Sequence, residues 1–166
     1  LIRACAELAG RGVNLELRIG GEGEERANLA NLAESLGFIE RLKLPGRVND
    51  VPRFLHGLDA FALSSDSEQH PNALNEAMAC GLACAATRVG CVEELLDEDR
   101  CGLIVPPGDA GQMAEALAEL LGDADLRNRL GRAARERACE RYSLDRMVRA
   151  YGEMYRKLSL RGRRAR

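Results

Sequence analysis

Short apolar runs alternate with amphipathic helical patterns as far as Val105, and that alternation constrains the fold more than any other feature. Val13, Leu15, Leu17 and Ile19 alternate with Asn14, Glu16 and Arg18, which predicts a strand with one wetter face. Gly20-Gly21-Glu22-Gly23 turns the chain into a helix with Leu29, Leu32, Ala33 and Leu36 on one side, closed by Gly37. Leu42-Lys43-Leu44 followed by Pro45-Gly46 reads as a short strand and a loop. Asp50 suits the cap of a brief helix through His56, with Val51, Phe54 and Leu55 inward. Ala60-Phe61-Ala62-Leu63 is continuously apolar, as in a strand buried on both faces, and a helix beginning at Pro71 follows. Ala83 to Thr87 and Leu103 to Val105 predict further strands, with Val92 to Leu96 helical between them.

After Pro106-Pro107-Gly108 the pattern is helical to the end. Met113, Leu117, Leu120 and Leu121 form one stripe, and Leu126, Leu130, Ala133 and Ala134 another. Ser143 then caps a last helix carrying Met147, Val148, Tyr151, Met154, Tyr155 and Leu158. Strands alternating with helices require long crossovers, so the expected fold is α/β, a doubly wound parallel sheet in one domain with C-terminal helices.

Bulk properties exclude several classes. Residues are 46% apolar and 30% charged, which fits a folded globular chain and not a disordered one. The apolar runs are far shorter than a membrane span, and no secretory apolar stretch opens the chain. Leu1 stands inside a helical pattern without an initiator methionine, which reads as a segment of a longer polypeptide. The six cysteines (Cys5, Cys80, Cys84, Cys91, Cys101 and Cys139) match no metal knuckle and read as small buried hydrophobes in a reducing, cytoplasmic setting. Net charge is −2, yet Arg156 to Arg166 holds six cations and no acid, leaving −8 on the rest. An acidic body does not suit a nucleic-acid binder. The basic tail is a candidate for contact with anionic lipid at the inner face of a membrane, although a solvated, frayed terminus is the plainer account.

Candidate chemistry gathers between Ser64 and Gly81. In open α/β sheets ligands sit beyond the carboxyl ends of the strands, where the loops Gly20 to Gly23 and Ser64 to Pro71 fall. Pro71 suits the first helical position, leaving the amides of Asn72, Ala73 and Leu74 at the positive helix end, a ready site for phosphate. Leu74, Ala77, Met78 and Gly81 form the inward stripe of that helix, so Glu76 points away from it. A carboxylate there can accept both hydroxyls of a vicinal diol such as ribose. Glu68, ahead of the helix, stands where a sugar beyond the phosphates would lie, and its charge can orient hydroxyls or stabilise positive charge on a sugar ring. Taken singly, each has a plainer reading. Glu76 fits a solvated helix glutamate, and Glu68 a carboxylate worth about 0.3–1 kcal/mol to a helix N-terminus. His70 fits a passive contact as well as a general base, and the glycine cluster by itself is a turn.

The pattern Glu68-x-x-Pro71-Asn72-x-x-x-Glu76-Ala77-Met78-Ala79-x-Gly81 resembles the E-x7-E motif of the retaining nucleotide-sugar glycosyltransferases of family 4. Gly20-Gly21-x-Gly23, Pro45-Gly46-Arg47-Val48, Leu63-Ser64-Ser65, Ala86-Thr87, Val89-Gly90, Glu94-Leu95 and Gly102 to Pro107 fall in that family's order, so the likeness covers nearly the whole chain. The resemblance implies one Rossmann-like half of a GT-B fold, the C-terminal donor-binding half, with the acceptor-binding domain upstream of Leu1. It implies that Glu76 holds the ribose hydroxyls and that backbone groups at Arg47 and Val48 meet the base. It further implies that the amides of Asn72, Ala73 and Leu74 hold the diphosphate, with Pro71 and Gly21 also substrate-binding, and that Glu68, Gln69 and His70 line the hexose. A UDP- or GDP-hexose would be the donor and a glycan, lipid-linked or small molecule the acceptor, without cofactor or metal. The family's diphosphate-gripping Arg/Lys pair would also precede Leu1, so this chain alone would not turn over.

Gln69 stands where the family usually has glycine, His70 where an aromatic is common, and Asn75 in place of an apolar residue. Ala83-Cys84 replaces Pro-Val, and Cys91 replaces a glycine. Two rival readings share the glutamate pair: a non-catalytic nucleotide-sugar-binding module, and another GT-B enzyme such as an epimerase or phosphorylase.

Overall fold

The element order is α1 (Ile2–Gly10), β1 (Leu17–Gly20), α2 (Arg26–Ser35), β2 (Leu42–Gly46), α3 (Val51–Leu55), β3 (Ala60–Leu63), α4 (Asn72–Ala79), β4 (Ala83–Thr87), α5 (Val92–Leu95), β5 (Leu103–Val105), α6 (Ala110–Gly122), α7 (Ala124–Arg141) and α8 (Leu144–Arg164). The structure, a computed structural model, describes residues 1–164, with side chains as far as Ser159. Every strand pairing is parallel, as the helical crossovers demand. The hydrogen-bonded ladder falls into two pieces, β1-β2 and β3-β4-β5, where one continuous sheet was expected.

Strand β4 is buried from end to end, and its alternation separates two apolar layers. Ala83 and Ala85 belong to the layer of α1, α2 and α6, with Leu8, Ala33, Met113, Leu117 and Leu120. Cys84 and Ala86 belong to the layer of α4, α5 and α7, with Leu74, Met78, Leu95 and Ala134. Helices on both faces make the fold doubly wound.

Local chemistry sets several element ends. Asp50 accepts a hydrogen bond from the Arg53 amide at 3.0 Å, capping α3 as its sequence suggests. Gly37, at φ +66°, lets the chain turn back so that the Phe38 amide reaches the Ala33 carbonyl and closes α2. Ser143 precedes α8, its carbonyl accepting from the amides of Arg146 and Met147.

Four expectations need correction. Strand β1 is only Leu17–Gly20, because pairing begins at Leu17 opposite Leu42; Val13 and Leu15 approach it half-buried. Pro71 lies one residue before α4, with ψ 105° holding it extended; its fixed φ suits either position, and ψ decides. Strand β3 is not buried on both faces: Ala60, Phe61 and Ala62 are half-exposed because one edge has no neighbour among the described residues. Gly81 does not continue the α4 stripe but turns the chain after it at φ +80°.

Helix α7 locks α4 and α5 in place. Gly131 lies so close to the Gly81 carbonyl that an added Cβ would stand 2.1 Å from the oxygen. Arg135 donates to the Ala79 carbonyl at 2.6 Å, and Arg137 to the carbonyls of Leu95 and Glu94 at 2.9 and 2.5 Å. Guanidinium groups at these carboxyl ends also oppose the negative end of each helix dipole. By contrast, the apolar stripe of α8 faces solvent, with Met147, Tyr151 and Tyr155 at 50%, 53% and 64% exposure. Arg156 and Lys157 are exposed on that helix. The remaining cations of the basic tail, Arg161, Arg163, Arg164 and Arg166, lie outside the described side chains.

Candidate functional site at the carboxyl edge of the strands

The loops leaving β1, β2, β3 and β4 all emerge at the carboxyl edge of the sheet, and contacts between them fix their shape. The Gly21 amide donates to the Gly46 carbonyl at 2.9 Å, tying the first loop to the second. Gly20 lies against Val48: a Cβ there would stand 2.7 Å from Val48 Cγ2. Gly46 is buried at φ +79°, which favours glycine over any L side chain.

The loop after β3 carries Glu68, Gln69 and His70, and the loop after β4 holds it from behind. The Ser65 hydroxyl donates to Glu68 Oε1 at 2.9 Å, and the Thr87 hydroxyl donates to the Ser65 carbonyl at 2.6 Å. Thr87 is the one buried polar residue among the described residues. The Cys91 amide donates to the Gln69 carbonyl at 3.1 Å. Gly90, at φ +52°, is packed so tightly that a Cβ would stand 2.3 Å from the Glu68 carbonyl oxygen. Burial pushes the Cys91 thiol above its ordinary value.

Helix α4 begins without a side-chain cap, and the Asn75 amide takes the Pro71 carbonyl. The amides of Asn72, Ala73 and Leu74 therefore precede the first intrahelical bond at the positive end of the dipole. His70 Nδ1 lies 3.3 Å from Asn75 Nδ2, and its ring meets Tyr142 edge-on at 5.9 Å between centroids. An Asn75 amide donating to Nδ1 keeps the neutral ring's proton on Nε2. Asn75 Oδ1 is buried and without a partner among the described residues. Burial raises the Tyr142 phenol above its ordinary value.

A cavity of about 510 Å³ opens beside α4, and Glu76, Ala73, Val48 and Gly20 belong to its lining. Glu76 is exposed at this rim. Glu68, Gln69, His70, Pro71, Asn72, Leu74, Arg47 and Gly21 are not part of the lining. Leu74 and Pro71 are buried, and Arg47 and Gly21 are exposed. Glu68 lies in the loop before α4, held by Ser65, and Glu76 lies within α4 at the cavity rim, so the two glutamates do not share that cavity. Sequence reasoning overlooked Ser65, Thr87 and Gly90 as site residues. The first two carried a signal: a serine three positions before a glutamate, and a lone polar residue ending an apolar strand. No group of three or more His, Cys, Asp or Glu side chains is placed to hold a metal ion among the described residues.

Parallel strands with helices on both faces and loops gathered at one edge define a Rossmann-like domain of the GT-B type. Anabaena Alr3699/HepE in complex with UDP has the same fold, with a TM-score of 0.86 at 22% identity over 95% of this chain and 44% of that one. Residues 1–137 match the family model described as glycosyl transferases group 1, and the chain belongs to that family. Lipopolysaccharide core biosynthesis glycosyltransferase LpsE of Rhizobium meliloti is 34% identical over 151 residues, covering 91% of this chain and 43% of LpsE. N-acetyl-alpha-D-glucosaminyl L-malate synthase of Bacillus anthracis is 31% identical over 143 residues, covering 86% and 38%. The chain therefore spans about two fifths of the length of these relatives.

Proposed function

We propose that the chain is the donor-binding half of a retaining hexosyltransferase of family 4 that uses a UDP- or GDP-hexose. The observation that carries this reading is the uncapped start of α4 at the carboxyl edge of parallel strands, with Glu68 in the loop before it and Glu76 exposed within the helix. Membership of the glycosyl transferases group 1 family supports it.

In this reading Glu76 accepts both ribose hydroxyls while backbone groups at Arg47 and Val48 receive the base; Glu76 and Val48 border one cavity. The amides of Asn72, Ala73 and Leu74, with Pro71 setting their approach and Gly21 opposite, receive the diphosphate. There they stabilise the charge that grows as the glycosidic bond to phosphate breaks. Gln69 and His70 orient the hexose, and Glu68, fixed by Ser65, stabilises positive charge on the ring as the acceptor hydroxyl attacks from the leaving-group face. Protein donors take the part a metal would otherwise play. The acceptor, a glycan or lipid-linked sugar, reaches the donor through an N-terminal domain outside this chain. The protein works in the cytoplasm, with the basic tail a candidate contact for the inner membrane face. No helix among the described residues is long and apolar enough to cross a membrane.

Titration of the full-length protein with UDP-, GDP- and ADP-sugars tests the reading. Glu76→Ala should weaken donor binding by about 1–3 kcal/mol, the cost of stranding polar groups, with the fold intact. Glu68→Gln should lower kcat while leaving donor affinity close to that of the parent. Unchanged binding in the first variant removes Glu76 from the site, and an unchanged rate in the second favours a non-catalytic binding module. Turnover by the isolated chain at the full-length rate would overturn its role as half of a cleft.

A further inference from the structure

His70 is an exposed loop residue, yet it is held from every side. Before it, the Gln69 carbonyl accepts the Cys91 amide at 3.1 Å. After it, Pro71 fixes the chain at φ −72° and ψ 105°. The ring meets Tyr142 edge-on at 5.9 Å between centroids, and Nδ1 lies 3.3 Å from Asn75 Nδ2. Tyr142 is tied down in turn, its hydroxyl donating to the Glu94 carbonyl at 3.3 Å. Arg137 donates to the same carbonyl. Exposed loop side chains are ordinarily the mobile ones, and this one is not free to move.

Asn75 supplies one of these restraints at a cost. It is half-buried beside the buried Leu74, and among the described residues its side chain hydrogen-bonds only His70. Its Oδ1 is buried without a partner, the one such side-chain atom among the described residues. A stranded acceptor lowers stability, and an apolar residue there would avoid the loss. A polar side chain that weakens the fold and has a single partner points to a role exercised through that partner.

The amide selects one state of the ring. When Asn75 donates, Nδ1 accepts, and the neutral imidazole carries its proton on Nε2. The other tautomer would present a lone pair there instead. With Nδ1 engaged, Nε2 is the ring nitrogen left for solvent or ligand, in the loop between Glu68 and the uncapped start of α4.

We propose that Asn75 is a positioning residue for the donor sugar, acting through His70. It holds the ring as a fixed N–H donor at Nε2, and an oxygen of the hexose accepts from it. This rests on the reading of the Glu68-to-His70 loop as the loop that meets the hexose. A fixed N–H favours a hydroxyl, acyl or carboxylate oxygen at that place. It disfavours an ammonium group, which has no lone pair to offer. Sugar choice is then set partly by a helix side chain that does not itself meet the sugar.

Proton–nitrogen correlation spectra of the histidine rings, on the full-length protein without ligand at mildly alkaline pH, test the tautomer apart from any substrate. His70 should show a protonated Nε2 and a bare Nδ1. Asn75→Asp, which can only accept, should bring a proton to Nδ1. A parent ring protonated at Nδ1, or a ring unchanged by Asn75→Asp, would overturn the proposal. A second arm compares UDP-glucose and GDP-glucose with UDP and GDP alone. Asn75→Leu should weaken whichever conjugate the parent binds about three- to tenfold, leave the bare nucleotide unchanged, and melt no lower than the parent. In a His70→Phe background the same substitution should have no further effect on binding. Lost stability with equal weakening of nucleotide and conjugate would leave Asn75 a structural residue and overturn the proposal. So would a full effect that persists without His70. The expected tautomers with binding of neither conjugate would instead fell the donor reading, and this inference with it.

Discussion

The Ser65 hydroxyl donates a hydrogen bond to Glu68 Oε1 at 2.9 Å, and the carbonyl of the same serine takes the Thr87 hydroxyl at 2.6 Å. A half-buried loop carboxylate is thereby tied, through a single serine residue, to the buried end of the central strand. Ser65→Ala should free Glu68 and lower kcat of the full-length enzyme roughly ten- to a hundredfold, about 1.4–2.8 kcal/mol of barrier. The KM for donor should hardly move, because the ribose and diphosphate contacts lie elsewhere. Ser65→Thr, which keeps the hydroxyl, should recover most of the rate. Equal loss in both variants would mean the serine serves only the fold.

Gly90→Ala should disturb the same loop from behind. Its added methyl meets the Glu68 carbonyl, a main-chain group that cannot swing aside, at a φ of +52° that already disfavours a side chain. The expected cost is about 1–3 kcal/mol in thermal or denaturant unfolding. Activity should fall further than Ser65→Ala alone. A variant of parental stability and rate would show that the loop is free to shift.

The thiols should separate by burial. Cys84 is fully buried and its thiol is pushed far up by desolvation, while burial raises Cys5 to about 11. Cys139 is exposed on α7, unlike the buried cysteine its sequence pattern suggested. At neutral pH a disulfide reagent should therefore label Cys139 first, Cys80 and Cys91 more slowly, and Cys5, Cys84 and Cys101 only on unfolding. Cys139→Ser should abolish the fast phase.

Asp109 should make α6 sensitive to acid. Its carboxylate accepts from the Gln112 amide and from the Gln112 side chain, both at 2.9 Å, and the amide bond above all holds its pKa below the ordinary value. A folded pKa below the unfolded one stabilises the fold above the unfolded pKa. That contribution disappears as pH falls through the lower, folded value. Asp109→Asn keeps a capping oxygen but cannot titrate. Its melting temperature should thus fall less steeply than the parent's over the acid range, and parallel curves would remove Asp109 from the account.

What was legible in the sequence were features set within one turn of chain. The Asp50 cap, the Gly37 turn and the inward faces of α4 and α6 follow from spacing alone, and the strand–helix alternation gives the parallel, doubly wound fold. Features that join distant segments stayed hidden. Gly90 reads as an ordinary turn residue until its loop is set against the loop twenty-two positions earlier that carries Glu68. Ala60 to Leu63 looks like a fully buried strand, because composition records the neighbours a strand is suited to and not those it has. Both site glutamates stood out by spacing, but the serine that holds one of them gave only a weak signal. Its spacing to Glu68 is that of a helix cap, and no helix starts there.

Helix α7 packs along the rear of α4 and governs where α4 points. Gly131 bears on the turn at Gly81, and Arg135 grips the last carbonyl of α4, that of Ala79. Enlarging a side chain on this inner surface, at Gly131 or at the buried Ala134, would pivot α4 about its rear and swing its leading amides across the rim. If α4 receives the donor as proposed, sugar preference would drift through changes some fifty residues from the motif, a dial that leaves every donor-facing position untouched.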